Sequence, residues 1–248
     1  MKRGLLLIDR GSHEDDVKHE LQYICDKVKQ KGDYHISDYC FLEVVPPYIE
    51  EGINTCLSTE IDSLTIVPYF LYPGRKVKAA VNTAIKFQSK TKVKLTISKP
   101  MSLHKSLVKL VDEKIQSILE KNKVTATRNN VDVLVIGHGS KDPNARSSLK
   151  YVADGLEPLY RNVNYCFLEI EEPNIQQGID TCTKNNPDFL VVVPYFLHKG
   201  AHVKRDIYED LNPAIANSGI KKVFLSEHLG IDDRMVDLVL ERAKEVEK

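Results

Sequence analysis

The chain repeats itself, and that repetition limits its possible folds more than any single motif does. Cys40-Phe41-Leu42-Glu43 returns as Cys166-Phe167-Leu168-Glu169, and Gly52-Ile53-Asn54-Thr55-Cys56 as Gly178-Ile179-Asp180-Thr181-Cys182. Val67-Pro68-Tyr69-Phe70-Leu71 returns as Val193-Pro194-Tyr195-Phe196-Leu197, and all three pairs lie 126 positions apart. Gly11-Ser12 recurs as Gly139-Ser140 at an offset of 128, which needs only a two-residue difference in length. Two similar units are therefore expected, over 1–122 and 130–248, with the polar stretch Lys121 to Asn130 as the linker.

Within each repeat, short apolar runs alternate with segments of helical spacing. Leu5 to Ile8, Tyr39 to Val44, Leu64 to Phe70 and Val93 to Ile97 read as strands. Val17, Leu21, Ile24 and Val28 fall on one face of a helix, and further helices are expected over 47–57, 76–89 and 103–119. The second repeat has the same order, beginning with the strand Val133 to Ile136. Near-continuous apolar strands alternating with helices define an α/β protein with parallel sheets flanked by helices. Such sheets bind ligands beyond the carboxyl ends of their strands.

Lys plus Arg and Asp plus Glu balance at 35 each, so no basic excess points to nucleic acid and no acidic excess to disorder. Only four apolar residues precede Asp9, too few for a signal-peptide core or a membrane span, and a cytoplasmic location is expected. The five cysteines have no CxxC spacing, and four of them sit at equivalent repeat positions, so they read as buried, reduced framework residues. A duplicated chain can also make within itself what a single unit makes by dimerising, which favours a monomer.

The chemistry-bearing residues cluster at strand ends of the second repeat. Val133 to Ile136 runs into Gly137-His138-Gly139-Ser140, and Asp142-Pro143 then signals a helix start. The flanking glycines are expected to present the imidazole and to let a ligand come close. Glu169 follows the second strand, and His198 and His202 follow the third. Imidazole, carboxylate and imidazole at three neighbouring strand ends suit a borderline divalent ion and leave coordination positions open. His202, with Gly200 before it and Asp206 four residues later, is the preferred ligand, and His198 a residue of the site wall. Glu171 and Glu172 read as a solvated acidic rim.

The first repeat lacks the histidines. Asp9-Arg10 stands in place of Gly137-His138, Arg75-Lys76 in place of Ala201-His202, and Tyr72 in place of His198, whereas Glu43 keeps the place of Glu169. Ammonium and guanidinium groups offer no lone pair to a metal. Arg10, Arg75 and Lys76 are better suited to carboxylates of a substrate.

GHGS on the first strand, FLE on the second, and PYFL followed by GxHxxxDI together resemble the CbiX/SirB class of sirohydrochlorin chelatases, related in fold to the class II ferrochelatases. The resemblance implies two tandem chelatase-like domains with the site in the inter-domain cleft. It implies ATP-independent insertion of Fe²⁺ into sirohydrochlorin, or alternatively of Co²⁺ or Ni²⁺, with no organic cofactor and no nucleic-acid or membrane partner. By motif, His138 and His202 would bind the metal and receive pyrrole protons, with Glu169 or Glu43 as the working glutamate. Arg10, Arg75, Lys76, Ser140 and His198 would contact the substrate. A non-catalytic tetrapyrrole or metal carrier on the same fold is the alternative of another class.

Overall fold

The computed structural model describes residues 2–142, 144–200 and 205–247, and by its contacts the chain divides into two compact units. The first comprises residues 1–102 and 231–248, the second residues 103–230.

In the first unit, β1 (Arg3–Asp9), β2 (Ile36–Phe41), β3 (Ser63–Pro68) and β4 (Lys94–Ile97) form a parallel sheet of order β2-β1-β3-β4. Leu5 to Ile8 are wholly buried, which explains their lack of alternation, since both faces of the central strand are covered. Leu6 and Ile8 pack with Ile53 and Cys56 of α2 (Ile49–Leu57) and Ala80 and Ala84 of α3 (Arg75–Phe87). The opposite face is covered by α1 (Asp15–Gly32) and the last helix of the chain, α8 (Asp233–Lys244), which pack on each other.

The second unit repeats the plan. Its sheet has the order β6-β5-β7-β8, from β5 (Val131–Gly137), β6 (Asn162–Phe167), β7 (Phe189–Pro194) and β8 (Val223–Leu225). Helices α6 (Ile175–Lys184) and α7 (Ile207–Ser218) bury Leu134 and Ile136 on one face. On the other, α4 (Lys105–Lys121) packs against α5 (Ala145–Leu156) and against β7 and β8.

Repeats and packing units thus divide the chain differently, because the domains expected over 1–122 and 130–248 exchange their last helices. Helix α4 belongs to the first repeat in sequence and to the second unit in space, and α8 the reverse. The apolar face of α4, Leu107, Leu110, Val111, Ile115 and Leu119, is visible in the sequence, but an apolar face does not specify which sheet covers it. Polar contacts fasten each exchanged helix. In the second unit, Asp112 of α4 accepts the Tyr160 hydroxyl at 2.6 Å and pairs with Arg128 at 2.9 Å. In the first, Glu247 beyond α8 accepts the Tyr34 and Thr65 hydroxyls at 2.8 and 2.6 Å and pairs with Arg3 at 2.7 Å.

All five cysteines are buried and unbridged, and burial pushes the Cys56 and Cys182 thiols up to about 12. No helix among the described residues is long and apolar enough to cross a membrane.

Candidate active site

His138 directly follows β5, and Glu169 lies two residues beyond β6. Backbone pairing continues past both strands: Leu168 N–H donates to Gly137 O at 2.8 Å and Glu169 N–H to His138 O at 3.0 Å. The sheet register therefore carries the two side chains to one spot. Nε2 of His138 lies 3.1 Å from Oε1 of Glu169, with the imidazole mostly buried and the carboxylate half exposed.

The other ring nitrogen, Nδ1, lies 3.1 Å from Gly139 O. A carbonyl and a carboxylate both only accept, so a hydrogen on Nδ1 satisfies the first contact and a hydrogen on Nε2 the second, and the doubly protonated ring donates to both. With Nδ1 carrying the hydrogen, Nε2 is left to share a proton or a metal ion with the Glu169 carboxylate.

The glycine after the histidine bends the backbone through a conformation that a side chain would not allow. Gly139 has φ +92°, and a Cβ there would stand 1.8 Å from the Glu169 carbonyl oxygen. Gly11 has φ +102° and the same relation, at 2.1 Å, to Glu43 O. Glycine is required in both units because the loop after the second strand crosses over it.

That loop is tight in both units. Glu171 N–H donates to Glu169 O at 2.8 Å across Ile170, whose φ is +72°; Val45 N–H donates to Glu43 O at 3.0 Å across Val44, at φ +76°. Both are γ-turns of the strained hand, centred on β-branched residues that rarely adopt positive φ. Cis peptide bonds follow at Glu172–Pro173 and Pro46–Pro47.

The expected acidic rim is only partly solvated. The Glu171 side chain is 13% exposed, since Oε1 accepts Ser140 N–H at 2.9 Å and Oε2 pairs with Arg146 Nε at 3.0 Å. Ser140, expected among the substrate contacts, shapes the turn: its hydroxyl accepts Asp142 N–H at 3.0 Å, as Ser12 accepts Glu14 N–H at 3.1 Å. His198 is half-buried beyond β7. His202 and Lys204 lie outside the described residues. Among the described ones, no group of three His, Cys, Asp or Glu side chains is arranged to hold a metal ion.

The first unit brings its counterparts together with opposite electrostatics. Glu43 is held by Lys76 Nζ at 2.5 Å and Arg10 Nε at 3.1 Å. Lys76 above all, opposed by partial burial and aided by Arg10, keeps its carboxyl below the usual carboxylate range. Arg75, the exposed first residue of α3, makes no ion pair among the described residues.

The CbiX family model matches residues 4–118 and again 132–246. The chain belongs to the CbiX family. It is 26% identical over 253 residues to the sirohydrochlorin cobaltochelatase of Priestia megaterium, spanning 98% of this chain and 79% of that one. With the sirohydrochlorin ferrochelatase of the same organism the identity is 23% over 246 residues, spanning 97% and 89%. In fold it matches SirB from Bacillus subtilis with Fe³⁺ at a TM-score of 0.84 and 22% identity, covering 99% of this chain and 95% of that one.

In this CbiX chain, sequence reasoning missed Arg146 and the role of Glu171. A signal existed. At the repeat offsets, Glu171 corresponds to Val45 and Arg146 to Lys18, the same kind of one-sided difference that drew attention to His138.

Proposed function

We propose that this chain inserts Fe²⁺ into sirohydrochlorin to give siroheme, with release of two protons. The observation that carries this reading is the contact of His138 Nε2 with Glu169 Oε1 at 3.1 Å, on strand ends of a chain whose relatives are named as chelatases.

Metallation has to strip water from the ion, expose a pyrrole lone pair to it and remove two N–H protons. A neutral imidazole with Nδ1–H held by a carbonyl can ligate the ion through Nε2 or take up a pyrrole proton there. Glu169, half exposed beside it, can stabilise the imidazolium or pass the proton to solvent. His202 is assigned as the second imidazole from its place in the motif. Two or three protein ligands suffice to hold an ion that must then be surrendered, whereas a closed set of four would retain it.

Glu169, not Glu43, is the glutamate assigned to this work, because Lys76 and Arg10 keep Glu43 ionised and neutralised. Arg10 and Lys76, with Arg75 beside them, are assigned to carboxylates of the macrocycle. Ser140 shapes the turn, and His198, beyond β7, is assigned to the site wall from its place in the motif. Cobalt is the second reading, favoured by the cobaltochelatase among the relatives.

The test is metallation of sirohydrochlorin by the purified protein with anaerobic Fe²⁺ or Co²⁺. A rate well above the spontaneous one is expected, falling to background in His138→Ala and His202→Ala. A protein that binds both substrates without acceleration is a carrier, and normal metallation by His138→Ala overturns the site assignment.

A further inference from the structure

We infer that Glu171 and Arg146 are a positioning pair that sets the Glu169 carboxylate against His138. This rests on the reading of His138 and Glu169 as the metal- and proton-handling groups.

Glu169 sits at the start of a γ-turn whose middle residue, Ile170, holds φ +72° with its apolar side chain 55% exposed. A β-branched residue adopts this conformation only where the surroundings impose it. The third residue of the turn, Glu171, closes it with its backbone N–H and then turns its carboxylate back to the loop that carries His138. Oε1 accepts Ser140 N–H, two residues after the histidine, at 2.9 Å. Oε2 takes Arg146 Nε at 3.0 Å, and Arg146 Nη2 donates to Glu172 O at 2.5 Å. The guanidinium also lies 5.3 Å from the centre of the Phe167 ring, at the end of β6. One mostly buried carboxylate and one arginine thus tie the loop after β5 and the first turn of α5 to the loop after β6 that carries Glu169.

The first unit supplies the internal control. It has the same glycine, the same carbonyl crossing and the same strained turn at Val44, but Val45 replaces Glu171 and Lys18 replaces Arg146. There the side chain of Glu43 is anchored directly by Lys76 and Arg10. A carboxylate beside a histidine that must bind and release cations cannot be fixed by permanent ion pairs, so its position has to come from the backbone that carries it. The side chains found only in the second unit do this.

The experiment compares Glu171→Ala, Glu171→Gln, Arg146→Ala and Arg146→Lys with the parent chain in steady-state metallation. Deuterium exchange of the Ser140 amide is followed in parallel. Loss of the clamp is expected to lower kcat about 10- to 100-fold in both alanine variants, with the sirohydrochlorin KM within about twofold. Ser140 should exchange faster in Glu171→Ala. Gln keeps the oxygen that receives the Ser140 N–H, and Lys keeps one donor for Glu171, so both conservative variants should recover part of kcat; a stability defect alone would not give that split. Wild-type kcat in Glu171→Ala, beside an inactive His138→Ala, overturns this inference alone. Faster Ser140 exchange at unchanged kcat does the same, because the clamp would then be only structural. A fully active His138→Ala overturns the site reading and this inference with it.

Discussion

Substituting Gly139 with alanine separates the framework of the site from its chemistry, because Gly11 offers the same substitution where the chemistry differs. At Gly139 the new Cβ would stand 1.8 Å from the Glu169 carbonyl oxygen; at Gly11 it would stand 2.1 Å from that of Glu43. Carbon and oxygen at van der Waals contact need about 3.5 Å, so either carbonyl must retreat by roughly 1.5 Å. The positive φ costs an L-residue about 1–2 kcal/mol. The retreat also weakens one backbone hydrogen bond, Glu169 N–H to His138 O or Glu43 N–H to Arg10 O, at about 1 kcal/mol. Both variants should therefore lose about 2–3 kcal/mol, a fall in Tm of roughly 4–12 °C for a chain of this size. Activity should diverge. In Gly139→Ala the retreat drags Glu169 from its 3.1 Å contact with His138, and a misplacement of about 1 Å at reacting groups costs on the order of 100-fold in kcat. Gly11→Ala moves Glu43, which has no imidazole beside it, and kcat should stay within about threefold while KM rises modestly. Calorimetry and metallation rates measured below both transitions decide the matter. Equal losses of kcat in the two variants, or a fully active Gly139→Ala, would refute the reasoning.

Replacing Arg10 or Lys76 with Gln should raise the KM for sirohydrochlorin several-fold at nearly constant kcat, the signature of uniform binding contacts; wild-type kinetics in both would remove them from the substrate site. Glu43→Gln should cost under about 1 kcal/mol at pH 7, since the side chain is a third exposed. Because the Glu43 carboxyl is lowered on folding, that stabilisation is full above the ordinary carboxylate value and lost as pH falls through the lowered one. Denaturant curves of the two proteins should converge below about pH 4, and a gap that widens there would contradict the assignment. Glu247→Ala should destabilise the first unit by about 2–4 kcal/mol, because it removes the acceptor for the Tyr34 and Thr65 hydroxyls and the partner of Arg3. A Tm unchanged within 2 °C, by roughly the scale of 2–4 °C per kcal/mol, would show that the end of the chain does not hold α8.

The parts of this architecture that depend on period and repetition were legible in the residues. Leu5 to Ile8 and Val133 to Ile136 declared buried strands by their unbroken apolar runs, and the offset of 126 placed Glu43 and Glu169 in equivalent loops. The convergence of Arg10, Glu43 and Lys76 then followed from the fold. What escaped depended on which surface meets which. The faces of α4 and α8 show their apolarity but not their exchange between units. Asp142, by contrast, was legible as a helix start: its carboxylate accepts Asn144 N–H at 3.0 Å, as an N-cap side chain does, just ahead of α5 at Ala145. Glu171 looked solvated because a charged residue in an acidic run usually is. Its burial depends on Arg146, 25 positions away on another element.

Both units place a carboxylate at the same point of the same strained loop, so its neighbours decide what it can do. In the first unit two cations surround Glu43, and the cluster carries a net positive charge. A divalent ion approaching to about 4 Å meets a repulsion of roughly 2 kcal/mol even with the full dielectric of water, enough to reduce occupancy about 30-fold, and more where screening is weaker. In the second unit Glu169 faces an imidazole nitrogen at 3.1 Å and pairs with no Lys or Arg among the described residues, so an incoming cation meets no fixed positive charge there. The same difference governs protons. Glu43, lowered by Lys76 and Arg10, has little tendency to accept one, whereas a proton on His138 Nε2 is placed to donate to the Glu169 carboxylate. A fold that positions a carboxylate identically twice can therefore suit it to different tasks through the side chains beside it, two cations at Glu43 and an imidazole at Glu169.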